Sequence, residues 1–92
     1  MTPETKTTAL ALAFPTLRTV PGVTPWNPTV LDAWALASPG SGAQWAARFV
    51  LNLWNGETEW ESGRFDIFAA LLAWDGDHRE VFLRWAKNPW WP

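Results

Sequence analysis

Acidic and imidazole side chains come closest together at Asp75, Asp77 and His78, where oxygen and nitrogen metal ligands fall within four residues. Such ligands could bind a divalent cation, but no fourth ligand follows at a recognised metal-site spacing. The chain has one histidine and no cysteine, which excludes a thiolate zinc site and any site with two imidazoles. The same residues suit the start of a helix, where acidic side chains stabilise the positive end of the helix dipole. We therefore predict a helix capped by Asp77 here, and no bound metal.

Four carboxylates between residues 57 and 66 raise the question of acid–base catalysis. They are Glu57, Glu59, Glu61 and Asp66. Carboxylates act as general acids and bases when they are positioned against a reacting group, and no glycine-rich phosphate loop accompanies these four. Ser62 and His78 lack a third partner at a spacing that would suggest a catalytic triad. We expect a solvated acidic loop, no enzyme activity, and no catalytic or cofactor-binding residues.

Positive charge is concentrated at Arg79, Arg84 and Lys87, on a predicted helix over residues 78–87. Three residues separate this helix from the predicted helix before it, as in helix–turn–helix DNA-binding motifs. Glu80 interrupts the positive stripe and is spaced to pair with Arg84, which is typical of a solvated helix face. The net charge of −2 leaves few bases for binding a polyanion. Nucleic-acid binding through Arg79, Arg84 and Lys87 is therefore the alternative function and not the favoured one.

Nine of the 92 residues are tryptophan, while tyrosine and cysteine are absent. Five of these tryptophans share predicted helix faces with other apolar residues, and we expect them in the core: Trp34, Trp45, Trp54, Trp74 and Trp85. Trp60, Trp90 and Trp91 instead lie in a loop and in the C-terminal tail. Tryptophan dominates the energetics of many protein interfaces, so we predict that these three contact a partner. Lid residues folded back over a small core are an equally favoured alternative for them.

Helix signals follow one another from Asn27 onward. Asn27 before Pro28 fits a helix cap with proline in the first turn. Residues 67–74 carry no polar side chain, a pattern typical of a helix that is central in a bundle or covered by a partner, including a second copy of the chain. The predicted helices cover residues 28–37, 41–55, 64–74 and 78–87.

The first 26 residues differ from the rest in their proline content. Proline recurs at four positions there, which disfavours a long helix, and residues 9–14 could be extended, a helical turn or disordered. We therefore predict an extended, partly disordered arm over residues 1–26 and a single helical domain over residues 27–92. The fold class is all-α: a small irregular bundle of three to four short helices with a tryptophan-rich core.

The composition and the weak catalytic signals together favour a binding role. No apolar run approaches the roughly 18–20 residues that a membrane span needs, and we expect a cytoplasmic location. We predict a small non-catalytic helical protein that binds another macromolecule, with a protein partner favoured over nucleic acid, as in regulators, inhibitors and assembly factors. Self-association through the apolar helix is a further expectation, and no cofactor is expected.

Overall fold

Five short α-helices and one 3-10 turn account for the regular structure of the residues that are described. The computed structural model describes residues 2–37 and 40–92, and all regular elements in these ranges are helical. None of the helices in these ranges is long and apolar enough to cross a membrane. The all-α class is confirmed, with five α-helices where three or four were expected. They are α1 (Pro3–Ala13), α2 (Pro28–Ala37), α3 (Ser41–Trp54), α4 (Ile67–Ala73) and α5 (Gly76–Lys87), with a 3-10 turn over Pro15–Leu17.

The predicted extended arm over residues 1–26 is wrong, because α1 occupies much of it. Thr2 caps this helix by accepting a hydrogen bond from the Thr5 backbone N–H at 3.1 Å, and Pro3 stands in the first turn. The helix ends before Pro15, since proline disfavours helical backbone in the preceding residue, and Phe14 is extended at φ −76° and ψ 121°. For residues 9–14, the helical alternative is the one observed up to Ala13.

Four buried apolar side chains anchor the segment between α1 and α2. Gly22 has a φ of +90°, and a Cβ there would lie 2.5 Å from the Leu31 backbone nitrogen in α2, so only glycine permits this close approach. The Thr8 hydroxyl of α1 donates to the Val23 carbonyl at 2.7 Å. The segment is therefore part of the packed body. Its buried side chains are Phe14, Leu17, Val20 and Val23.

The structure confirms α2 and α3 close to their predicted bounds. The Asn27 side chain accepts from the Val30 backbone N–H at 3.3 Å, as its place before Pro28 predicts. Helix α3 contacts α1, α2 and α4, which makes it the central helix of the bundle. Its buried face holds Ala46, Ala47, Phe49, Val50, Leu51 and Leu53.

The other two helices start at different residues from those predicted. Asp66 caps α4 by accepting from the backbone N–H groups of Phe68 and Ala69, so the helix starts at residue 67 and not at 64. The prediction that Asp77 caps α5 is wrong: Asp75 accepts from the His78 backbone N–H, and the helix begins at Gly76. Of the two alternatives for the apolar helix, a central position in the bundle is not observed, because Phe68 is 78% exposed and Leu72 is 88% exposed on α4.

Aromatic rings join α5 to the rest of the bundle. Phe49 of α3 has ring centroids at 5.3 Å from Phe82 and 5.2 Å from Trp85, in edge-on arrangements that aromatic pairs prefer. All nine tryptophans lie in the described ranges, but Trp74 is the one that is fully buried; most of the others cover the edge of the core. We refer to six rings, each of which contacts at least two of the others, as the ring cluster: Phe14, Phe49, Phe65, Trp74, Phe82 and Trp85.

Candidate binding groove

One face of α1 and one face of α5 border an apolar groove that Trp90 closes. The α5 residues follow i, i+3, i+4 and i+7 spacing, and the two α1 residues are three apart, so each wall is a single helix face. The groove has a volume of about 340 Å³. We call it the tail groove, and its lining residues are Leu10, Ala13, Val81, Arg84, Trp85, Asn88 and Trp90.

Specific contacts hold Trp90 at this position. The chain leaves α5 at Asn88, whose backbone N–H donates to the Trp85 carbonyl at 3.1 Å. The Trp85 indole N–H then donates to the Trp90 carbonyl at 3.0 Å, which folds the tail back over its own helix. The Lys6 ammonium of α1 lies 4.3 Å from the centre of the Trp90 ring, within cation–π range. The tail thus links α5 to α1.

A smaller cleft lies on the other side of Trp85. Its volume is about 190 Å³, and Trp85 lines both this cleft and the tail groove. Trp91 stands at its edge, 67% exposed, with its ring centre 5.6 Å from that of Trp85 and the two planes at 78°. The cleft is lined by Phe49, Asn52, Leu53, Phe65, Phe82, Trp85 and Trp91.

The three tryptophans proposed as partner contacts occupy different settings. Trp90 and Trp91 lie together at the tail, where they line neighbouring clefts. Trp60 is not among the residues that line either cleft. It is half-buried against the core, and its indole N–H donates to the Asn55 carbonyl at 3.1 Å. Trp91 is the most exposed of the three.

The basic residues of α5 do not form one uniform positive surface. The Arg79 guanidinium donates to the Leu71 carbonyl at 3.3 Å, which ties α5 to α4. Arg84 pairs with Glu80 at 3.7 Å, and both side chains are more than half exposed. Lys87 is exposed in the last turn. Of the three, Arg84 is the one that borders the tail groove.

A row of hydrogen bonds joins Asp75 and His78, which are neighbours in sequence, to the distant Thr16. His78 is buried, its Nε2 lies 2.8 Å from the Thr16 hydroxyl, and its Nδ1 lies 2.8 Å from Asp75 Oδ1. The backbone N–H of His78, and then its side chain, hold the pKa of Asp75 below its ordinary value of 3.8 by hydrogen bonding to the carboxylate. Thr16 is 62 residues from His78 in sequence, so no local spacing could have indicated the pair.

This row resembles a hydroxyl–imidazole–carboxylate triad in its order of groups. None of its three residues lines the tail groove or the cleft beside Trp91. The imidazole packs against the rings of Phe14 and Trp74, with centroids at 5.8 Å and 6.4 Å. The row therefore ties the turn after α1 to the start of α5, close to the ring cluster.

A buried carboxylate of α2 anchors the loop between α3 and α4. Asp32 of α2 is buried and accepts from the Glu61 backbone N–H and from both the backbone N–H and the hydroxyl of Ser62. The Ser62 hydroxyl thus donates to Asp32 and not to His78, while Glu57 and Glu59 are exposed. Within the described ranges, no group of three or more histidine or acidic residues is arranged to hold a metal ion.

No family model matches the chain, and neither a curated protein nor a solved structure matches it. The geometry of the chain itself therefore carries the functional interpretation.

Proposed function

We propose that this chain is a small non-catalytic protein that works in the cytoplasm by binding another protein, and that the tail groove receives an apolar segment of that partner. The observation that carries the proposal is the groove itself: two helix faces and the Trp90 ring border an open groove of about 340 Å³, at the small end of the roughly 300–1,000 Å³ typical of small-molecule pockets.

Trp91 adds contact area beside the groove. A tryptophan side chain has roughly 150–250 Å² of surface to bury, and Trp91 is 67% exposed. Burying this exposed part of the Trp91 side chain against a partner would contribute about 2.5–4 kcal/mol to binding, at roughly 25 cal/mol per Å² of apolar area. This is within the range of an interface hot spot.

A protein partner suits this surface better than nucleic acid does. Phosphate contacts dominate nucleic-acid affinity and need several free cations on one surface. Arg79 is already bonded to the Leu71 carbonyl, which leaves Arg84 and Lys87 as the two exposed cations among these three. Nucleic-acid binding through Arg79, Arg84 and Lys87 remains the alternative, and the experiment below separates the two.

Affinity capture from a lysate of cells that express the chain, treated with nuclease, tests the proposal. Ala13→Arg places a long side chain in the groove from an exposed position at the end of α1. Ala86→Arg makes the same change on the exposed, opposite side of α5 and serves as the matched control. We expect a partner protein that is captured by wild type and Ala86→Arg and is lost with Ala13→Arg. Equal capture by both variants, or material lost on nuclease treatment, would contradict the proposal.

A further inference from the structure

Two cations flank the tail groove, on opposite walls. Arg84 of α5 lines it directly. Lys6 stands one turn before Leu10 on α1, and its ammonium lies over the Trp90 ring that closes the groove. No carboxylate is among the residues that line the groove. The groove thus combines an apolar floor with a positive border.

Both cations are available to a ligand. The guanidinium of Arg84 is 3.7 Å from Glu80, beyond hydrogen-bond distance, and the side chains are 76% and 63% exposed. Exposed pairs of this kind are weak and readily exchanged. The Lys6 side chain is exposed, and its contact with the face of Trp90 leaves its remaining N–H donors open.

Glu80 is the carboxylate nearest to Arg84, at 3.7 Å, but neither it nor any other carboxylate lines the tail groove. Glu4 is two residues from Lys6, which places it on the opposite side of α1, where it lines a separate cleft with Trp26 and Pro25. The exposed Glu57 and Glu59 belong to the loop after α3. With nine acidic residues against seven basic ones, the chain is negative overall, so the border of the tail groove is a local exception.

We infer that the tail groove recognises an acidic, apolar peptide segment: aliphatic or aromatic side chains that enter the groove, flanked by carboxylates that pair with Lys6 and Arg84. This inference rests on the proposed function and adds the chemistry of the partner. The inference is based on charge complementarity. Lys6 and Arg84 border the tail groove and no carboxylate lines it, which favours a ligand with carboxylates and disfavours a basic one.

Isothermal titration with synthetic peptides tests the inference. The probes are three 12-residue peptides with the same Leu-Leu-Phe centre and four flanking positions that are all Glu, all Gln or all Lys. We expect the Glu peptide to bind about fivefold more tightly than the Gln peptide at low salt, because each of the two exposed ion pairs contributes a factor of slightly more than two. The Lys peptide should bind more weakly than the Gln peptide.

Paired variants assign the preference to the groove. Lys6→Gln with Arg84→Gln should abolish the fivefold preference for the Glu peptide. Arg64→Gln with Lys87→Gln removes the same charge from two exposed positions outside the groove and should leave most of the preference in place.

Several outcomes would overturn the inference. Equal affinity for the Glu and Lys peptides would show that the groove does not select acidic peptides, although it binds their apolar centre. Absence of binding by all three peptides up to 1 mM would also reject it, while the proposed function would still be decided by the capture experiment with Ala13→Arg. A 20-nucleotide single-stranded DNA or a phosphatidylglycerol vesicle that binds more tightly than the Glu peptide, through Lys6 and Arg84, would show that the occupant is not a protein.

Discussion

Phe14 tests whether the N-terminal segment is part of the core, because it joins that segment to the ring cluster. Its side chain is completely buried, and its ring lies 5.9 Å from Phe49, 5.6 Å from Trp74 and 5.8 Å from His78. Truncation to alanine removes these contacts and leaves a cavity among rigid neighbours. Buried Phe→Ala changes cost about 3–5 kcal/mol, and we expect Phe14→Ala to fall in this range.

The size of this loss is large compared with the stability of the whole chain. At about 0.05–0.15 kcal/mol per residue, a chain of this length is stable by roughly 5–14 kcal/mol, so the variant should lose a substantial fraction of it. Urea denaturation followed by tryptophan fluorescence and circular dichroism measures the change in the free energy of unfolding. Phe68→Ala is the matched control, because the same substitution at a 78% exposed position should change stability by less than about 1 kcal/mol.

A loss of unfolding free energy below about 1 kcal/mol for Phe14→Ala would show that the ring is not packed as described, because truncating a fully buried ring costs more than this. In that case the segment before α2 would be a loosely held arm after all.

Two further predictions concern the start of α5 and the exposed face of α4. The pKa of Asp75 is lowered in the folded state, so its carboxylate contributes stability that is present above the unfolded pKa and is lost as pH falls through the folded pKa. Wild type should therefore be more stable than Asp75→Asn near pH 6, and the difference should shrink below about pH 4 in urea titrations; a difference that is independent of pH would contradict this hydrogen-bond arrangement. Phe68→Ser with Leu72→Ser should lower any self-association seen in sedimentation at high concentration, because α4 presents these two side chains to solvent. Unchanged association in this variant would exclude α4 as the contact, and a wild type that stays monomeric would exclude self-association itself.

The elements predicted correctly are those whose signals are local. Asn27 before Pro28 marks the start of α2, and the amphipathic spacing of α3 indicates its buried face without any tertiary information. The start of α1 carries the same kind of signal, Thr2 before Pro3, but the four prolines of the first 26 residues outweighed it. Proline breaks a helix only from within, and none of them lies between residues 4 and 13.

The candidate site could be predicted only in part, because its residues come from distant parts of the sequence. The position of Trp90 and Trp91 after α5 marks the tail as unusual, and both residues border the clefts described above. The tail groove also needs Leu10 and Ala13, which are more than 65 residues away in sequence and come close only through the fold. The burial of each tryptophan also depends on the tertiary fold: Trp74 is the one at the centre of this small core, and most of the others cover its edge.

Photo-crosslinking inside cells is the most direct test of partner binding in the tail groove. The photoreactive amino acid p-benzoylphenylalanine replaces Asn88, which is exposed and lines the groove, or Ala86, which is exposed on the other side of α5. We expect a discrete protein adduct from position 88 and none from position 86. Equal adducts from both positions, or adducts with nucleic acid alone, would contradict the assignment of the groove as a protein-binding site.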